Sequence, residues 1–310
     1  MPNATNEFDD AVNRGDASYD PTSPIDRIYD SVRWPTVAQG FVNPSLEAAV
    51  QAADQIFSSS HILPMLTNST TSGRIPPDGI RLMLQGIQAR TTDMHPFTPG
   101  IRFYLNTVGM VFPAIISFFF SLAIRGSPAR FGPSSTRINY LYRMTCGLTM
   151  SCLAGISYGL WYEAFHETFT ISGGQYCLIW VTVWLYSFVS YVVYDTLTGF
   201  TAFMPWPPPM FMPPYVLLYI IINVSSTVFP IEIKPQFYRL DYIWPAHNCY
   251  ELIISIITHG GSGRVYRNVP ILFGWIVIWL PLNWFMNWRM NRLNLRQAKF
   301  DPKLVDRLLV

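Results

Sequence analysis

Gly155-Ile156-Ser157-Tyr158-Gly159 has the spacing of a nucleophile elbow, the G-x-S-x-G turn that presents a serine hydroxyl for acyl transfer. His259-Gly260-Gly261 superficially matches the oxyanion loop of lipases. That chemistry needs Ser157 on a sharp strand-to-helix turn, yet it lies within a continuous apolar run. The oxyanion loop should also precede the serine, and here it follows by about a hundred residues. We therefore expect no hydrolase and no catalytic residues. The sequence contains no G-x-x-x-x-G-K-[ST] phosphate loop and no C-x-x-C, and its five histidines show no metal-ligand spacing. The expectation is no metal site and no cofactor.

Other polar residues lie near or inside apolar runs, where ionisable groups are costly and often functional. His247 and Glu251 are four residues apart, on one face of a helix, so a proton-linked pair is conceivable. Glu163, His166 and Glu167 cluster after one apolar run, and Asp195 ends another. The plainer reading of each is a solvated interfacial charge. Asn283 and Asn287, one turn apart, are expected to make interhelical hydrogen bonds. Cys177 and Cys249 are placed near one face and could form a disulfide; two free thiols is the plainer alternative. Asn68-Ser69-Thr70 is a glycosylation sequon.

These groups must be positioned by membrane helices. Five apolar stretches, Phe103–Ile124, Met144–Tyr162, Tyr176–Leu197, Tyr215–Phe229 and Val269–Trp288, approach or reach the roughly 20 residues that cover about 30 Å of hydrocarbon. The fold class that follows is an all-α integral membrane protein with five transmembrane helices and a luminal re-entrant hairpin, preceded by a partly helical luminal region. Residues 1–100 form an acidic extracytoplasmic region, 101–288 a polytopic membrane domain and 289–310 a basic tail. The first region holds eleven acids against six arginines, whereas the tail carries Arg289, Arg292, Arg296, Lys299, Lys303 and Arg307. Arg125, Arg130, Arg137 and Arg143 add basic charge between the first two stretches, and residues 163–175 have none. By the positive-inside rule the tail is cytosolic and residues 1–100 lie outside or in a lumen. The basic groups serve as topology determinants, which argues against nucleic-acid binding.

Residues 1–45, rich in Asp, Asn, Ser and Pro, read as extended or partly disordered. Residues 46–66 and 80–89 read as helices. Gly147, Ser151, Gly155 and Gly159 recur every fourth residue, a seam for close helix approach within the bundle or between copies of the chain. The proline run Pro207–Pro209 with Pro213 and Pro214 reads as a stiff non-helical connector, with Pro214 opening the next helix. The stretch 237–245 is aromatic and suits a headgroup layer, and 247–258 reads as a short amphipathic helix on an interfacial or re-entrant hairpin.

Phe237-Tyr238-Arg239, then Tyr242-Ile243-Trp244-Pro245-Ala246-His247-Asn248-Cys249-Tyr250-Glu251-Leu252, resembles the signature of the fungal nitrosoguanidine-resistance membrane protein family. The continuation from Gly263 to Trp275 is similar too, and the likeness covers about residues 30–300. The resemblance implies a membrane domain like the transmembrane half of type-2 ABC exporters, with a luminal hairpin before the last span. It also implies a span ahead of the luminal region, and the sequence is expected to start after that span. It carries over no catalytic residue; Phe237, Tyr238, Arg239, Tyr242, Pro245, His247, Asn248, Tyr250 and Glu251 match without an assigned role. The expected function is transporter-like, tied to export of or resistance to toxic small molecules, or to lipid movement. The alternative is a non-transporting scaffold or regulator of membrane proteins or lipid asymmetry. The expected partners are the lipid bilayer and other membrane helices, in a homo- or hetero-oligomer. The expected location is the plasma membrane or endoplasmic reticulum.

Overall fold

A computed structural model describes residues 4–67, 75–96, 107–126, 136–164, 171–201, 208–261 and 263–300. The chain is mostly helical and divides into two compact units, Met1–Pro96 and Phe97–Val310. Asn68, His166 and Glu167 lie outside the described residues.

The first unit holds helices α1 (Ala4–Arg14), α2 (Asn43–Phe57) and α3 (Pro77–Gln85), and strands β1 (Ile25–Tyr29) and β2 (Ala89–Asp93). The strands pair in parallel, from Ile25 opposite Ala89 to Tyr29 opposite Asp93. Helix α1 departs from the expectation of an extended or partly disordered start, whereas β1 is extended and held in a sheet. Phe8, Ala11 and Val12 explain α1: at i, i+3 and i+4 they form one apolar stripe, buried with Ile62, Ile75, Leu82 and Met83. A turn follows, where the Ser18 hydroxyl and amide both donate to Asp16 and hold its carboxyl below the usual range. Gly79 lets α3 approach α1, because a Cβ there would sit 2.2 Å from the Val12 carbonyl oxygen.

The second unit is a bundle of α4 (Thr107–Gly126), α5 (Thr136–Ala164), α6 (Gly173–Thr201), α7 (Pro208–Val228), α8 (Pro245–Ile257) and α9 (Val265–Phe300). Helix α6 is its centre and packs against each of the other five. Along α6, Tyr186, Val189, Tyr191, Val192, Val193 and Tyr194 are all buried. A buried phenol needs a partner, and the Tyr186 hydroxyl donates to the Met110 carbonyl at 2.9 Å.

Among the described residues, three helices are long and apolar enough to cross a membrane: Val108–Arg125, Gly173–Phe200 and Val265–Arg292. Pro213–Val228 is apolar but shorter. Helix α5 has 29 residues, ample length for a crossing, but Thr145, Gly147, Thr149, Ser151, Gly155, Ser157 and Gly159 dilute its apolar character.

The proline connector is corrected. Helix α7 already starts at Pro208 and contains Pro213 and Pro214. Pro208 and Pro209 occupy the first turn, where no amide hydrogen is needed. The two later prolines each forgo one bond, a loss that helices in apolar surroundings tolerate.

Helix α8 is corrected more sharply. It occupies nearly the expected residues but has no water-facing side: twelve of its thirteen residues are buried. It packs against α6, α7 and α9. The short helical turn Gln236–Ile243 before it instead exposes Phe237, Tyr238, Leu240 and Ile243.

Candidate functional site

Two polar centres are built into the second unit. The first is ionic. Asp195 of α6 has no exposed surface, and a buried carboxylate without partners would be untenable. Three other helices supply partners. The Arg143 guanidinium of α5 is ion-paired with Asp195 Oδ1. Arg125 Nε, at the end of α4, lies 3.4 Å from the same oxygen, and Arg125 also donates to the Asp195 backbone carbonyl. From α9, Asn283 Nδ2 donates to Asp195 Oδ2 at 2.8 Å and Asn287 Nδ2 to the same oxygen at 3.3 Å. Arg143 Nη1 donates to Asn287 Oδ1 at 2.8 Å, and Asn283 Nδ2 is 3.0 Å from Thr196 Oγ1. Two guanidiniums thus face one carboxylate, and this knot carries one positive charge in excess.

The expectation for Asn283 and Asn287 holds, since both bond to α6. The expectation for Asp195, a solvated end charge, does not. Arg125 and Arg143 are likewise not loop charges. A basic residue at a helix end is the same sequence signal whether it faces water or, as here, a buried acid.

The small-residue seam positions the knot. A Cβ on Gly147 would sit 2.1 Å from the Tyr191 ring, and one on Gly155 2.8 Å from the Trp180 carbonyl oxygen. On Gly159 it would meet the Tyr176 ring at 2.9 Å, and Ser151 is buried between them. All four therefore face α6 within one chain. Tyr191, seated over Gly147, donates from its hydroxyl to the Arg143 carbonyl at 2.9 Å.

The second centre surrounds α8 and uses mostly amides. Asn223 of α7 accepts the Ala246 amide at 3.1 Å, satisfying one of the free N–H groups that open a helix, and donates to the Tyr219 carbonyl at 2.9 Å. Asn248 donates to the carbonyls of Tyr242 and Trp244, both at 2.8 Å, fastening α8 to the turn before it. His247 Nδ1 lies 3.3 Å from the Ser226 carbonyl oxygen. At the far end Gln175 Nε2 donates to the Ile256 carbonyl at 2.8 Å. The flanking segments are tied by Lys234–Asp241 at 2.7 Å and Arg264–Glu232 at 2.6 Å, with Arg267 stacked over Tyr242 at 4.2 Å.

Of the residues singled out from sequence, Tyr242, Pro245, His247, Asn248, Tyr250 and Glu251 come together here, all but Tyr242 fully buried. Phe237, Tyr238 and Arg239 do not join them and are exposed. The disulfide is corrected: Cys177 and Cys249 are both free, the first exposed and the second buried with Sγ 3.9 Å from the Thr182 carbonyl oxygen. Ser157 sits in mid-helix on α5, and its hydroxyl donates back to the Leu153 carbonyl at 2.9 Å, the usual habit of a helical serine. Among the described residues no group of three or more His, Cys, Asp or Glu side chains could hold a metal ion.

The profile of a family described as "Protein of unknown function (DUF3533)" matches residues 1–280. The chain belongs to the DUF3533 family. It is 22% identical over 297 residues to an uncharacterized endoplasmic reticulum membrane protein of Saccharomyces cerevisiae, covering 90% of this chain and 56% of the yeast protein. The chain thus spans about half the length of this curated relative. No solved structure matches it. The DUF3533 match takes in the seam, the α8 centre and the Arg125, Arg143 and Asp195 members of the knot; Asn283 and Asn287 lie beyond it.

Proposed function

We propose that this chain is a five-span, transporter-like membrane protein that moves lipids or exports toxic small molecules, as the nitrosoguanidine-resistance resemblance implies. In this reading α4, α5, α6, α7 and α9 cross the bilayer, α8 is a re-entrant helix on the luminal side, residues 1–100 are extracytoplasmic and the tail is cytosolic. The basic tail and the 163–175 loop, which has no Lys or Arg, support that orientation after Arg125 and Arg143 are withdrawn from the count. The yeast relative's endoplasmic reticulum location supports the same membrane here.

One observation carries the transport reading: a charged cluster held by four helices inside an apolar bundle. Charge at that depth is costly and is characteristic of substrate and ion pathways. A cluster that ties four helices also changes whenever those helices move apart.

The test uses the full chain. Vesicles reconstituted with it should show flux of fluorescent lipid or of an amphipathic toxin, and cells bearing Asp195→Asn at normal membrane abundance should lose resistance. Absence of flux from the purified chain, together with undiminished resistance in Asp195→Asn cells, overturns the reading.

A scaffold is favoured by one specific observation. The recesses beside the bundle's aromatic wall (Gly109, Phe112, Tyr158, Trp161, Tyr162) and beside Arg143 hold about 10 and 20 Å³, too little for a substrate, and the larger cleft at Thr136 and Trp288 is a wide-open one rather than an enclosed passage. Effects on lipid asymmetry that require a second protein, with no flux by the chain alone, select the scaffold.

A further inference from the structure

A cleft of about 620 Å³ opens between the start of α5 and the later turns of α9. Its described walls are Thr136 and Arg137 on one side and Trp284, Phe285 and Trp288 on the other. At Thr136 it adjoins a polar recess of about 20 Å³ that reaches Arg143 and Asn287 of the knot. The Thr136 hydroxyl is 2.5 Å from Asn291 Nδ2, which holds the two helices together at the junction.

Three features give the cleft a chemical preference. First, Arg143 is 2% exposed and its Nε makes no hydrogen bond, so a buried cationic donor lacks an acceptor beside the recess. Second, the knot behind it has one uncompensated positive charge. Arg137 is exposed at the mouth, and Arg292 lies 4.0 Å over the Trp288 ring. Third, the far wall is aromatic, with Trp284 38% and Phe285 45% exposed. A soluble anion gains nothing from that wall. A lipid does, because its acyl chain can lie on the rings while its phosphate meets the cations.

The geometry points to a binding site for one anionic phospholipid, with the phosphate at Thr136 and Arg137 and a chain along Trp284, Phe285 and Trp288. The Arg143 charge behind the recess selects an anionic over a zwitterionic headgroup. This inference rests on the reading of α9 as a span and goes beyond it by naming a ligand.

The full chain in nanodiscs tests it, with tryptophan fluorescence as the readout. Brominated phosphatidylserine should quench more than brominated phosphatidylcholine at equal content. The chain has ten tryptophans, so the excess is assigned by its disappearance in Trp284→Phe/Trp288→Phe. Arg137→Gln, an exposed site, should lower the phosphatidylserine preference about fivefold, the worth of one cation near an anionic surface. Arg143→Lys, which keeps the charge for the knot but removes Nε, should lower it as well. Equal quenching by the two lipids overturns the proposal, as does a preference unchanged in both arginine variants. Complete displacement of the excess by soluble glycerophosphoserine also overturns it, in favour of a phosphate site without a lipid. The part of the brominated phosphatidylcholine quenching that is lost in Trp284→Phe/Trp288→Phe separately reports whether α9 is in the bilayer at all.

Discussion

The two polar centres of the second unit solve the same problem with different chemistry. Around α8 the groups are chiefly neutral amides, and most bonds end on backbone carbonyls that a helix end or tight turn leaves free. Around Asp195 the groups are charged, and the bonds join side chains from four helices. The amide centre shapes a local segment and tolerates the loss of one member. The ionic centre is collective, since removing its single anion strands two cations.

That contrast predicts a ranking. Asp195→Ala should have the largest effect, about 3–5 kcal/mol of stability, because it leaves buried guanidiniums uncompensated. Denaturation of the detergent-solubilised chain measures it, and adding Arg143→Met should restore part of the loss. A small effect from Asp195→Ala would dissolve the distinction between the centres. Next comes Gly147→Ala, where the new methyl meets the Tyr191 ring and should cost about 1–3 kcal/mol. A double-mutant cycle with Tyr191→Ala should show coupling between the two positions, as residues in contact do. Asn223→Ala should cost about 1 kcal/mol, the usual worth of a helix-capping group. The smallest effect is chemical rather than energetic: maleimide should label Cys177 in the folded chain and Cys249 only after unfolding. Labelling of both at equal rates would mean that α8 is not enclosed.

Much of the fold was legible because hydrophobic run length reports helices directly. The apolar stretches around 176–197 and 269–288 became α6 and α9, and the small-residue repeat in α5 named the face that meets α6. What stayed hidden depended on partners remote in sequence. Arg143 and Asp195 are 52 residues apart, and only the folded bundle shows that one buried charge answers the other. Helix α8 was misjudged for a related reason. Alternating His247, Asn248 and Glu251 with Ile253 and Ile254 looks amphipathic when water is assumed on one side. In the bundle that side is occupied by α7, whose Asn223 and Ser226 take the place of solvent. In the first unit, Phe8, Ala11 and Val12 carried enough periodicity to reveal α1, but the surrounding Asp and Asn content masked it.

The enclosure of α8 has a mechanical consequence. Twelve of its thirteen residues are buried, and both of its ends are fastened by side chains from elsewhere in the bundle. It has no free flank along which to swing as an independent flap. Any rearrangement in that half of the molecule must carry α6, α7 and α9 along with it, so motion there is the displacement of a block rather than the opening of a gate.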